Sequence, residues 1–237
     1  MIFRAAAFTV AALAAAGFLF APAAHASSRS VQVSGSKLKS ALLPASYFGS
    51  DYQSGPAASS GNSVSTLPAT EHVSSVSCGT FEALSGEGFF GEDAFAFSFA
   101  DNPNFFSELP SSEFYYRQSV DQFGSTKAAS AYYGQAHAKY AKCKYFTESV
   151  PDGQIPGVGS LETTTQSMSN TRVGKYQAFQ VGQVSDLTEM SGITIQLNTL
   201  VAVAGTDVYT MESLGGTNDP ISTALMHDLI GRVQKLR

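Results

Sequence analysis

Apolar residues recur at 129, 132, 133, 136, 140 and 143, the longest clean helical pattern in the chain. These steps of three and four place Ala129, Tyr132, Tyr133, Ala136, Tyr140 and Cys143 on one side of a helix over 125–146. Lys127, Gln135, Lys139, Lys142 and Lys144 turn to water. Ser125 offers an N-cap oxygen, and the late lysines suit the negative end of the helix dipole. Gly134 sits mid-helix at a cost of about 1 kcal/mol against alanine. It marks either a close approach of another element or simple tolerance.

A period of two takes over elsewhere. Over 92–100, Phe95, Phe97 and Phe99 point one way and Ala94, Ala96 and Ser98 the other, which is a strand with one aromatic face. Asp101-Asn102-Pro103-Asn104 is turn chemistry. The run 113–123 is a second strand that pairs with the first. A short strand at 146–150 stops at Pro151-Asp152-Gly153. The Thr-rich run 160–169 suits a half-exposed strand. Alternation at 173–184 gives another, 193–203 is the clearest strand, and Gly205-Thr206-Asp207 turns the latter into 208–214. Together they form an antiparallel meander.

Three further segments complete the order of elements. The run 37–43 is a short helix stopped by Pro44. The run 70–84 reads as a helix opened by Thr70, with Cys78 on the side of Phe81. The last helix has Asn218 or Asp219 as its cap and Pro220 at the first helical position, and its stripe is Ile221, Leu225, Leu229, Val233 and Leu236. The stretch 49–69, rich in Ser, Gly, Pro and Ala, reads as a long surface loop. Segregated runs of strands and helices predict an α+β fold, an antiparallel sheet with helices packed on one face.

The chain has 237 residues. Arg4, an uncharged Ala-rich run at 5–20 and the small residues of Ala24-His25-Ala26 form a secretory leader, with cleavage expected after Ala26. The run is shorter than the about 20 residues a membrane span needs, and no membrane span is expected in the mature chain. Residues 27–36 read as a flexible start, and 37–237 as a single domain. The formal net charge is −5, one more negative once Arg4 leaves, with no basic patch. Nucleic acid and anionic lipid are therefore poor partners.

Two cysteines in an exported chain predict one disulfide, Cys78–Cys143. It would close a loop of about 65 residues and stabilise by about 4 kcal/mol on a chain-entropy view.

Chemistry is scarce. G-x-S-x-G, H-E-x-x-H, the P-loop and the EF-hand loop are all missing from the sequence. His72, His137 and His227 show no ligand spacing. No catalytic residue, metal or cofactor is expected, and the chain reads as a non-enzyme. The aromatic residues between 89 and 123 are mostly core, with strand phenylalanines facing helices. Phe89-Phe90 and Phe105-Phe106 lie in predicted loops, where apolar pairs need a reason. They are candidates to line a groove for an apolar ligand, with Tyr116 and Arg117 at its polar end.

The layout resembles the PknH-like extracellular sensor domain of mycobacteria and related actinobacteria. The resemblance rests on the Cys78 segment, the paired strands, the helix opening at Phe123-Gly124-Ser125, Tyr140-Ala141-Lys142-Cys143, and the closing hairpin and helix. Tyr140 stands where that family usually has Trp, and no cysteine follows Cys143 to form a second bridge. The resemblance implies a twisted antiparallel sheet with helices forming a cleft for an unidentified ligand. The function expected from it is a secreted, non-enzymatic sensor-like domain, extracellular or cell-wall associated, binding a small or lipidic ligand. The alternative is a protein–protein interaction or structural component of the cell envelope.

Overall fold

Two tight hairpins organise the second half of the sheet. Gly174 and Gly205 take φ of 56° and 65°, a region that glycine enters without a Cβ clash. The first joins β7 (Leu161–Val173) to β8 (Tyr176–Leu187), and the second joins β9 (Thr194–Ala204) to β10 (Asp207–Gly215). The computed structural model describes residues 32–59, 72–73, 94–103, 113–146, 148–149, 161–187, 194–215 and 220–237. The leader and its cleavage site lie outside them, as do 27–31 of the expected flexible start, whose last two residues instead open a helix at Gly35.

The other elements are α1 (Gly35–Ala41), a 3-10 turn (Ala45–Tyr47), β1 (Gln53–Ser59), β2 (His72–Val73), β3 (Ala94–Asp101), β4 (Glu113–Gln122), α2 (Thr126–Lys142), β5 (Tyr145–Phe146), β6 (Glu148–Ser149) and α3 (Thr223–Gln234). Eight strands form one antiparallel sheet in the order β1-β3-β4-β10-β9-β8-β7-β5, and β2 pairs with β6 apart from it. Seven of the eight are long, and β5 is a two-residue edge. The fold class is α+β with an antiparallel sheet.

Helices cover both faces of this sheet, which corrects the expectation of one. One core joins Leu38 and Ala41 of α1 and Met226, Leu229, Ile230 and Val233 of α3 to Ala96, Val120, Ala202, Tyr209 and Met211. The second joins Ala129 and Tyr140 of α2 to Phe179, Val181, Val201 and Val208. Alternation along β8, β9 and β10 sends neighbouring apolar residues to opposite faces, so a sheet apolar on both sides needs a helix on each. The phenylalanine face of β3 is turned away from α1 and α3, since Ala94 and Ala96 are the residues that meet them.

Four element boundaries also differ from expectation. Within 49–69, residues 53–59 form β1, which pairs with β3. Ladder bonds come from the backbone, so a Ser/Gly/Ala run can serve as an edge strand. Its register shifts between Ser54 and Ala57, which puts Pro56, lacking an N–H, in a bulge. In the expected helix at 70–84, His72 and Val73 instead pair with Ser149 and Glu148; the remainder lies outside the described residues. Helix α2 stops at Lys142 rather than 146, because β7 captures the next residues: Tyr145 pairs with Thr165 and Phe146 with Thr164. The cap of α3 is Ser222, whose side chain accepts from the Ala224 N–H, and Pro220 lies before the helix. Asn218 and Asp219 lie outside the described residues.

Helix α2 follows its predicted stripe. Ser125 accepts from the Ala128 N–H, Ala129, Tyr140 and Cys143 are buried, and Tyr132, Tyr133 and Ala136 pack half-buried against the core. The centre is Phe179, with the rings of Tyr133, His137 and Tyr140 at 5.3, 5.3 and 5.6 Å. Among the described residues no atom lies within 4 Å of where a Gly134 Cβ would stand, which fits tolerance of this glycine. Cys143 is not a free thiol, and Cys78 lies outside the described residues.

Candidate functional site

Arg117 and Tyr116 are adjacent on β4, so their side chains leave opposite faces of the sheet. Tyr116 stacks on Phe48 at 4.7 Å and meets the edge of Tyr52 at 5.3 Å. Arg117 stands on the other face. It lies directly across the strands from Glu212, and its Nη1 donates to Glu212 Oε2 at 2.7 Å. Its guanidinium also lies 6.0 Å from the ring centres of Phe97 and Phe99. The two residues expected at one end of a groove are therefore divided by the sheet. The four loop phenylalanines, Phe89, Phe90, Phe105 and Phe106, lie outside the described residues.

The Arg117–Glu212 pair joins β4 to β10. Glu212 is buried, and the guanidinium is committed to it and to the two rings.

Two cavities are better placed. One, of about 290 Å³, opens beside α2 and is lined by His137, Tyr140, Lys144, Gln166, Met168 and Asn170. Three of its polar side chains already have partners. His137 Nε2 lies 2.8 Å from Asn170 Oδ1. Gln166 donates to the Tyr140 carbonyl and accepts from Gln183 at 3.0 Å. This network fastens the end of α2 to β7 and β8.

The other cavity, of about 300 Å³, lies on the opposite face over β7, β8 and β9, beside the segment that leads into α3. Ser167, Gly182 and Asn198 form one rung across these strands, and Ser169, Gln180 and Leu200 the next. Glycine in the middle of the first rung leaves a dip between two polar neighbours. Ser167 Oγ and Asn198 Oδ1 lie 3.2 and 3.6 Å from where a Gly182 Cβ would be. Gln180 Nε2 donates to the Ile221 carbonyl at 2.8 Å, which holds the wall of the cavity to its floor.

None of these cavity residues stood out in the sequence. The signal that could have found them is parity: polar residues on three neighbouring strands share the face that elsewhere carries Ala202, Tyr209 and Met211. Among the described residues, no group of three or more His, Cys, Asp or Glu is placed to hold a metal ion. No described helix is long and apolar enough to cross a membrane.

No protein-family model matches this chain, and no curated protein matches it in sequence. Solved structures do. The extracellular domain of PknH from Mycobacterium tuberculosis matches over 86% of this chain and 97% of that one, at 15% identity and a TM-score of 0.61. An uncharacterised protein from Mycobacterium smegmatis matches over 84% of this chain and 95% of that one, at 9% identity and a TM-score of 0.40. The match to the first runs along nearly the whole of both chains, and on it this chain has the fold of a PknH-like extracellular sensor domain.

Proposed function

We propose that the chain is a non-catalytic, sensor-type domain that acts outside the cytoplasm and holds a small ligand in the cavity over β7, β8 and β9. The observation that carries this reading is the cavity itself, at about 300 Å³ within the size range of small-molecule sites. Two features support the location. The sequence opens with a leader pattern ending at Ala26, and the PknH domain that shares the fold is extracellular. In this reading residues 37–237 act as one domain, and Cys143 is bridged to Cys78, as suits an oxidising compartment.

The absence of recognisable catalytic motifs fits a binding role, in which specificity comes from a shaped pocket rather than a reactive group. Native mass spectrometry of the protein secreted by its own host is the test. A discrete, low-mass adduct that disappears on unfolding is expected. A bare protein mass, together with an unchanged melting temperature across a broad small-molecule panel, would sink the reading. If crosslinking instead trapped one envelope protein reproducibly, the interaction role would take its place.

A further inference from the structure

We infer that the cavity over β7, β8 and β9 takes a neutral, hydroxyl-rich small molecule of about one or two sugar rings, received by the side-chain amide of Asn198. The inference rests on the ligand-binding reading above and names its chemistry.

Asn198 is only 6% exposed, yet its Nδ2 finds no hydrogen-bond acceptor among the described residues. A buried amide left without a partner costs free energy in a folded protein, and such groups are uncommon. This one borders a cavity rather than a packed core. An acceptor brought in from outside would relieve the cost, which is how a site comes to favour its ligand over empty space.

The rest of the lining narrows the class. Ser167 and Ser169 bring hydroxyls, Gln180 a second amide, and Pro220 and Ile221 an apolar side. Among the described residues no charged side chain lines the cavity, so an anion or cation would shed its hydration shell and gain no opposite charge from them. A fatty chain would cover hydroxyls and amides without satisfying them. A molecule with hydroxyls along its rim and C–H groups on its face meets both kinds of lining. Gly182 supplies the depth, because a larger residue there would fill the dip beside Asn198.

The experiment is a ¹⁵N–¹H NMR titration of the mature chain with glucose, maltose and N-acetylglucosamine, with oleate and inorganic phosphate as comparison probes. The expected result is a saturable shift of the Asn198 side-chain NH₂ pair with at least one saccharide and with neither comparison probe. N198A and G182V should each weaken that binding at least tenfold. The urea midpoint of N198A should stay near wild type, since it removes a group that has no partner to lose among the described residues. Two outcomes overturn the inference: no saccharide moves the Asn198 resonances, or oleate or phosphate moves them instead. Oleate shifting residues elsewhere would overturn this site and leave ligand binding standing. Silence toward every probe would count against both.

Discussion

Gln118 satisfies both backbone groups of Leu43: its Oε1 accepts the Leu43 N–H at 2.9 Å, and its Nε2 donates to the Leu43 carbonyl at 2.7 Å. Four residues on, and so on the same face of β4, Gln122 Oε1 accepts the Val33 N–H at 2.8 Å. These two contacts bracket α1 and tie both of its ends to the sheet. A seven-residue helix is too short to hold itself together, so its place depends on these side chains and on Arg232, whose Nε donates to the Ala41 carbonyl at 2.8 Å.

Replacing Gln118 by leucine keeps the volume but strands a buried N–H and C=O. The expected loss is about 2–3 kcal/mol, read as a lower urea midpoint. Hydrogen exchange should speed up across α1 more than across β9, and uniform exchange in both would contradict the strap.

The carboxylate of Asp207 is fully buried, and Arg237 Nη2 lies 2.6 and 2.8 Å from its two oxygens. R237A leaves that charge with Gln122, Thr206 and Tyr209 as its partners among the described residues. We expect a loss of about 2 kcal/mol, below the cost for a fully buried pair because Arg237 still meets water. The double variant D207N/R237A should recover part of it, since the unpaired charge goes too. If the two changes simply add, the pair is not coupled.

Burial raises the pKa of the Tyr209 phenol far above the ordinary value, and the neighbouring Asp207 charge and hydrogen bond raise it further. The neutral phenol's contribution is therefore complete below about pH 10, the unfolded value, and declines as pH rises beyond it. Y209F gives up the hydrogen bond to Asp207 and should be the less stable protein at pH 7, by about 1 kcal/mol. The gap should narrow steadily between pH 10 and 11.5 in denaturation curves. A gap that stays constant over that interval would refute the assignment.

G134A should stabilise the protein by about 0.5–1 kcal/mol, because the new methyl meets nothing and alanine favours the helix. A rise in melting temperature checks it. A fall would mean that a partner approaches this face of α2 in solution.

Reduction should lower the melting temperature by several degrees if Cys143 is bridged to Cys78, a loss of about 4 kcal/mol on the chain-entropy view. Peptide mapping of the unreduced protein should yield the cross-linked pair. Thiol reagents that label both cysteines without reductant would exclude the bridge.

Alternation made β3 legible in the sequence, since the residues that face α1 and α3, Ala94 and Ala96, are apolar. It failed for β1, where Gln53–Ser59 pairs through backbone alone and its side chains carry no pattern. It also misjudged the faces of the sheet, because the two sides of β8 look alike until Ala178 and Phe179 are seen in different cores. The start of α3 was misplaced because Pro220 suits a first turn, yet Ser222 makes the capping bond. The candidate site was least legible. Gln118, Gln122 and Asn198 are polar residues on a core-facing side, and single-strand patterns assign such residues to water.

The strand order has a consequence for how the chain comes to be folded. β10, the last strand in sequence, lies between β4 and β9, so the two halves of the sheet meet only through it. A chain emerging from its amino end makes β3 and β4 early, then waits with the far edge of β4 unpaired until β10 arrives. Such an open edge invites pairing with a second chain, and contacts so distant in sequence form slowly. The interval between the two strands is therefore when this protein is most exposed to aggregation, and a chaperone that shields the β4 edge would act there.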